Sequence, residues 1–212
     1  GVAIINNNNK SKLALVPILN STISEDKNIA LESRNNIEFR DVEALNIVNV
    51  DFNSNLILKI GALMRSCQIA GGLESLLNQS VRYANERIQF GRPIAKFQAI
   101  QQELAVLATH VAASGVAADY ASSSMDNGDD ELAIASAKSR VDDAISVCAS
   151  IAHQVHGAIG FTYEHGLHFS TRRLWSWRAE YGSGTYWAKI LGEKAVSNGA
   201  DNFWSSITSG KI

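Results

Sequence analysis

Proline is almost missing from this chain. Two occur in 212 residues, Pro17 and Pro93, and none follows Pro93. A proline inside a helix costs about 3 kcal/mol, so the second half is permissive for long helices. Cysteine is as scarce. Cys67 and Cys148 form no CxxC pair and no Cys/His cluster, which excludes a disulfide scaffold and gives no metal site. Excess charge is missing too. Lys plus Arg is 19 against 21 for Asp plus Glu, a net charge of −2 and a pI near 6.2, so no global basic field collects nucleic acid or anionic lipid. Val2–Ile5 lacks the charged flank of a signal peptide, and no uninterrupted apolar run reaches bilayer length. The expectation is a reduced, soluble, cytoplasmic globular protein without a metal, nucleic-acid or membrane partner.

Asparagine, in contrast, crowds the first ~50 residues, including Asn6–Asn9, Asn35, Asn36, Asn46 and Asn49. Between these lie short β-type runs at Val2–Ile5, Leu13–Leu19, Ile29–Leu31 and Ile37–Phe39. Asn6–Asn9 reads as a hairpin turn, because asparagine tolerates positive φ. So few strands would leave open edges if they stood alone.

From about Asn55 the period becomes helical. Leu63, Cys67, Ala70, Leu73, Leu77, Val81 and Ala84 mark one face. Ile100, Leu104, Leu107 and Val111 mark a second, and Ile134, Ala137, Val141, Ala144, Cys148, Ile151 and Val155 a third. The pattern predicts long helices over 54–88, 96–124, 130–156 and 184–208, with a shorter one over 164–178. Near-heptad spacing suits helices packed almost antiparallel. The fold class is mainly α: an up-down four-helix bundle over 51–212, preceded by a few strands over 1–50.

Chemistry concentrates at the junctions. Arg87 and Arg92 flank Phe90-Gly91, with Gln98 beyond. Arginine binds phosphate bidentately, and a following helix start adds amides that favour an anion. A plain helix–helix turn with a solvated rim fits these residues as well. Gln154-Val155-His156-Gly157-Ala158-Ile159-Gly160 is a glycine-rich corner that could cradle a flat polar ligand. A simple helix C-cap is its competing reading, and a structural role competes for His156. Arg172-Arg173-Leu174-Trp175-Ser176-Trp177-Arg178 is basic and aromatic, but it is one short stretch in an acidic protein.

Taken together, these junctions resemble the acyl-CoA dehydrogenase family, in its C-terminal helical domain. Tyr83-Ala84-x-Glu86-Arg87-x-Gln89-Phe90-Gly91-Arg92-Pro93-Ile94, followed by Phe97-Gln98-Ala99-Ile100-Gln101, looks like the family's flavin-binding junction. Gln154–Thr162, leading to Glu164-His165 and Arg172-Arg173, looks like its second signature. Residues 1–50 would then be a remnant of the middle β-domain.

The resemblance implies FAD bound between subunits of a homo- or hetero-oligomer, a dimer or tetramer. Arg87 would meet the pyrophosphate, Phe90 would pack beside the cofactor, and Gln98 would take the adenine side. Gln154 and the backbone of Val155, His156, Gly157 and Ala158 would contact the neighbouring subunit's dinucleotide. Ser183 to Thr185 would lie near the flavin. Ala158 stands where many relatives have glycine. The implied reaction is α,β-dehydrogenation of an acyl-CoA thioester in fatty acid metabolism, with an acceptor such as an electron-transfer flavoprotein.

One departure concerns the base. The family's usual carboxylate position falls on Tyr181, and another branch's falls near Gly61 and Ala62. A tyrosine of ordinary pKa near 10 is a poor base at neutral pH. Glu180 is one residue away and is the candidate by default. The Gly182-Ser183 ending resembles subunits of heteromeric dehydrogenases, whose partner would supply the base. A non-catalytic subunit completing a paralogue's FAD site is therefore the alternative.

Overall fold

A computed structural model describes residues 1–7, 10–19, 21–50, 54–126 and 131–209. The chain divides into two compact units, Gly1–Ile60 and Gly61–Ile212.

In the first unit, β1 (Val2–Asn7), β2 (Lys10–Leu15) and a later strand, β5 (Asn46–Val50), form an antiparallel sheet with β2 central. Leu13 stands opposite Ile4 on one side and Val48 on the other. The Asn7–Lys10 pairing makes the expected hairpin, although its tip lies outside the described residues. β3 (Ser21–Ser24) and β4 (Asn36–Phe39) form a separate two-stranded ribbon. Ile29–Leu31 is a turn and not a strand. The Asn28 side-chain oxygen accepts from the amides of Ala30 and Glu32, both at 3.0 Å, and Leu31 has φ 64°. Such side-chain bonding offers the backbone an alternative to a ladder. β2 ends at Leu15, not Leu19, and Pro17, which has no amide hydrogen, follows. Ile47 and Val48 point to opposite faces of the sheet and both are half-exposed.

The second unit is helical. α1 (Ser54–Glu86) leads through β6 (Ile88–Gln89) and β7 (Arg92–Pro93) to α2 (Gln98–Asp126). There follow α3 (Glu131–His156), a 3-10 turn at Gly157–Phe161, α4 (Leu167–Ala179), α5 (Gly184–Asn198) and α6 (Ala200–Ser209). The expected last helix is broken at Gly199, φ 78°, a conformation glycine adopts freely. The turn between α2 and α3 lies outside the described residues. α3 is central: its whole expected apolar face, from Ile134 to Val155, is buried.

The face read for α1 needs correction. Cys67 and Val81 are exposed, and the buried stripe runs through Ala62, Ser66, Ile69, Leu73, Leu76, Ser80 and Ala84. Ser66 and Ser80 tolerate burial because each hydroxyl donates to the carbonyl four residues back, Ala62 and Leu76, both at 2.8 Å. On α2 only Leu107 of the four expected positions is fully buried.

By length and composition alone, α1, α2 and α3 are long and apolar enough to cross a membrane, against the sequence expectation. In this fold all three contribute apolar residues to one core, and α3 buries Lys138 and Asp142.

Cys148 sits in the core, and burial pushes its thiol pKa up to about 11. A thiolate is the reactive form. A thiol reagent at pH 8 should therefore leave Cys148 unmodified in the folded chain and label it on denaturation. Rapid native labelling of Cys148, read by peptide mass spectrometry, would contradict this packing.

Candidate cofactor and active site

The first junction is a miniature hairpin. Ile88 pairs with Pro93 and Gln89 with Arg92. Phe90 (φ 52°) and Gly91 (φ 76°) turn the corner with two positive φ values, the geometry of a two-residue type I′ turn. Asparagine or glycine usually fills the first of these positions. Phenylalanine there is strained, and its side chain is 91% exposed. Its ring meets Phe97 edge-on at 6.1 Å, and Arg92 caps Phe97 at 4.3 Å. Arg87 and Gln98 are exposed. Among the described residues, no hydrogen bond or ion pair engages the Arg87 guanidinium. The hairpin therefore displays a cation and an aromatic ring side by side.

The second junction lies at the same end of the bundle. His156 is 3% exposed. Its Nδ1 donates to the Ala152 carbonyl at 2.7 Å, and its ring stacks on Tyr83 of α1 at 4.5 Å. His165 approaches the His156 ring edge-on at 4.7 Å. The Val155 and His156 side chains thus belong to the core, leaving only their backbone for a ligand. Gln154, Gly157 and Ala158 are exposed. Gly157 has φ 64°, and nothing stands within 4 Å of where its Cβ would be. A left-handed corner with open space before it can receive a flat polar group.

The remaining sequence candidates lie elsewhere, at the α4–α5 corner. Glu180, Tyr181, Ser183 and Thr185 sit there. Tyr181 has φ 56° and Gly182 φ 91°. The Ser183 hydroxyl caps α5, accepting from the Tyr186 amide at 3.3 Å. A Cβ at residue 61 would collide with the Tyr181 ring. The two positions named for a base, 61 and 181, are therefore in contact, and what fills the space between them is a phenol. Glu180 is bound by Arg65, whose Nε donates to its carboxylate at 2.6 Å.

Gly61 and Tyr83 are 22 residues apart on α1, about 33 Å at the α-helical rise. One copy of the chain therefore presents the two junctions at one end of its bundle and the corner toward the other.

Sequence reading missed the groups that build this corner. Lys138 and Asp142 lie within the apolar stripe of α3 and are 0% and 5% exposed. Lys138 Nζ donates to the Arg178 carbonyl at 2.7 Å, and Asp142 pairs with Arg178 Nε at 3.0 Å. Desolvation lowers the Lys138 pKa, the neighbouring Asp142 opposing it. Two charges four apart among apolar residues were the available signal. The basic, aromatic segment is tied into the bundle as well: Arg178 lies over Trp175, and Arg65 over Trp177, each at 5.3 Å.

Such a domain offers a cationic, glycine-cornered edge at one end and a rigid polar corner at the other. Residues 54–193 match the family model described as acyl-CoA dehydrogenase, C-terminal domain. The chain belongs to the acyl-CoA dehydrogenase family. Over 118 residues it is 34% identical to acyl-CoA dehydrogenase IpdE2 of Mycobacterium tuberculosis, covering 55% of this chain and 36% of that protein. The fold matches the ChsE4–ChsE5 complex of Mycobacterium tuberculosis with TM-score 0.83 and 21% identity, over 92% of this chain and 55% of that one. It also matches PigA with FAD and proline, with TM-score 0.77 and 20% identity, over 90% and 52%. The matched regions thus span about a third to a half of these three proteins.

Burial lowers the pKa of His156 and of His153. Each favours the neutral ring when folded. The stability this contributes is fully present above the unfolded value near 6.5 and is lost as pH falls below it. The melting temperature should fall between pH 7 and pH 5, and His156→Phe should flatten that fall. An equal slope in the variant would show that His156 does not titrate with folding.

Proposed function

We propose that this chain is the C-terminal part of an FAD-dependent oxidoreductase acting on the Cα–Cβ bond of an acyl-CoA thioester. The observation that carries the reading is the first junction, where an unpaired Arg87 stands beside a strained, exposed Phe90. Among the described residues, no hydrogen bond or ion pair engages the Arg87 guanidinium, and Phe90 makes a ring contact only with Phe97. Both suit a dinucleotide, which has a dianionic pyrophosphate and flat rings. Gly157 fits the same group, since its backbone is bare and faces open space.

Bound FAD supplies the hydride acceptor for the β-hydrogen. This chain's residues bind and orient. Arg87 holds the pyrophosphate by charge-assisted hydrogen bonds, Phe90 lies beside the cofactor, and Gln98 serves the adenine side. Gln154 and the backbone of Val155–Ala158 hold the dinucleotide of the neighbouring subunit. Ser183 and Thr185 line the flavin end. The two groups lie about 33 Å apart along α1, so an oligomer is the natural way to bring both to one cofactor. The proposed setting is cytoplasmic, with an electron-transfer flavoprotein or similar acceptor and neither nucleic acid nor membrane as partner.

A second reading is favoured by the phenol lying against Gly61. With Glu180 held by Arg65 and Asp142 by Arg178, the corner presents no free carboxylate among the described residues. The base would then come from a paralogous partner, and this chain would complete that partner's FAD site.

The native polypeptide should purify with, or take up, a flavin that absorbs in the visible. Arg87→Ala should weaken flavin binding about 10- to 100-fold, the usual size of a lost charge-assisted bond. Unchanged affinity would remove Arg87 from the site. Tyr181→Glu should raise acyl-CoA turnover by the homomer if the missing carboxylate limits it. Robust turnover by the unmutated homomer, abolished by Glu180→Gln, would instead return the base to Glu180 and reject the second reading.

A further inference from the structure

The α4–α5 corner is held in a conformation its own sequence does not favour. A non-glycine residue at positive φ costs about 1–3 kcal/mol and persists only where its surroundings over-determine it. Tyr181 is such a residue, and the restraints around it come from three helices. From α3, Lys138 binds the Arg178 carbonyl, Asp142 pairs with the Arg178 side chain, and the Ser139 hydroxyl donates to the Gly184 carbonyl at 3.2 Å. A Cβ at Gly184 would collide with the Asp142 carboxylate, so α5 begins directly on that side chain. From α1, Arg65 holds Glu180. From α5, Trp187 Nε1 donates to the Tyr181 carbonyl at 3.0 Å.

Stability alone does not account for Lys138. Its side chain is wholly buried and donates to the Arg178 carbonyl. Replacing a whole buried ion pair by apolar residues of similar volume is often neutral or stabilising, whereas removing one partner alone destabilises. What an apolar residue cannot do is donate to a particular carbonyl. The Arg178 carbonyl lies in the last turn of α4, three residues before Tyr181.

We propose that Lys138 and Asp142 are positioning residues: from α3 they fix where α4 stops and α5 starts, and so set the direction of the Tyr181 ring against Gly61. Their consequence for dehydrogenation rests on the functional reading above. Their control of the corner does not.

The test uses the native polypeptide with 3-fluorotyrosine placed at residue 181 alone, and the variants Lys138→Met and Asp142→Asn. Fluorine NMR reports the ring's surroundings, melting temperature reports stability, and acyl-CoA turnover reports function. Lys138→Met leaves the Arg178 carbonyl without its donor, so it should lower the melting temperature while the single fluorine line shifts and broadens into several. Asp142→Asn, which keeps the shape beside Gly184, should shift the line less. With turnover present, kcat should fall at least tenfold and KM change less than threefold. An unchanged fluorine line in a folded Lys138→Met overturns the proposal, as does a loss of stability with no change in the line. If Lys138→Met does not fold, the line of Asp142→Asn decides in the same way. Absent turnover in the unmutated protein, with the fluorine changes present, rejects the dehydrogenase reading and leaves the positioning role supported.

Discussion

Everything in the helical unit depends on α3 being buried along most of its length. Its apolar stripe forms the core with Ile69, Leu73 and Leu76 of α1, Leu107 of α2, and Leu167 and Leu174 at α4. A helix so enclosed can act as a ruler. At its C-terminal end it delivers the glycine corner at Gly157, and near its start it places Lys138 and Asp142 under the α4–α5 turn. The Tyr83–His156 stack then fixes the second junction to the end of α1, immediately before the Arg87 hairpin. Packing between interior aromatics thus places the two candidate cofactor loops beside each other.

Strain is kept where the candidate chemistry lies. Among the described residues, four that are not glycine have positive φ, and two of them, Phe90 and Tyr181, sit at the first junction and at the corner. Phe90 is held by a hairpin closed with two paired residues on each side. Tyr181 is held by a buried polar network. A turn without function would be satisfied by asparagine or glycine in either place. The other two, Leu31 and Asp41, lie in the β-unit, where the Asn28 turn accounts for Leu31.

Much of this was legible in the sequence, and the exceptions have physical causes. The α3 stripe was read correctly because its core positions are apolar throughout. The α1 stripe was misread because Ser66 and Ser80 hide inside it, their polarity cancelled by backbone acceptors one turn back. β5 escaped notice because Asn46 and Asn49 resemble loop residues, although Ile47, Val48 and Val50 are β-branched. The junction motifs announced Arg87, Phe90 and Gly157 through unusual residue types in fixed order. The corner network left a fainter mark, the charges Lys138 and Asp142 four apart within the apolar stripe of α3, because Arg65 and Arg178 are far from them in sequence and meet them only through the bundle. The contact between positions 61 and 181 was equally invisible, since sequence gives no distance between α1 and the end of α4.

The proposed cofactor site takes its junctions from one copy and its corner from another. Mixing two variants of the native polypeptide tests it. Arg87→Ala removes the pyrophosphate cation, and Thr185→Trp blocks the flavin end without touching the Ser183 cap. Each homomer should bind little flavin. After unfolding and reassembly together, a two-fold exchange of parts rebuilds one intact site in each mixed pair, about a quarter of all sites. Recovery of flavin absorbance to that level is the predicted result. No recovery above the separate variants, with mixed pairs shown to form, would contradict the account.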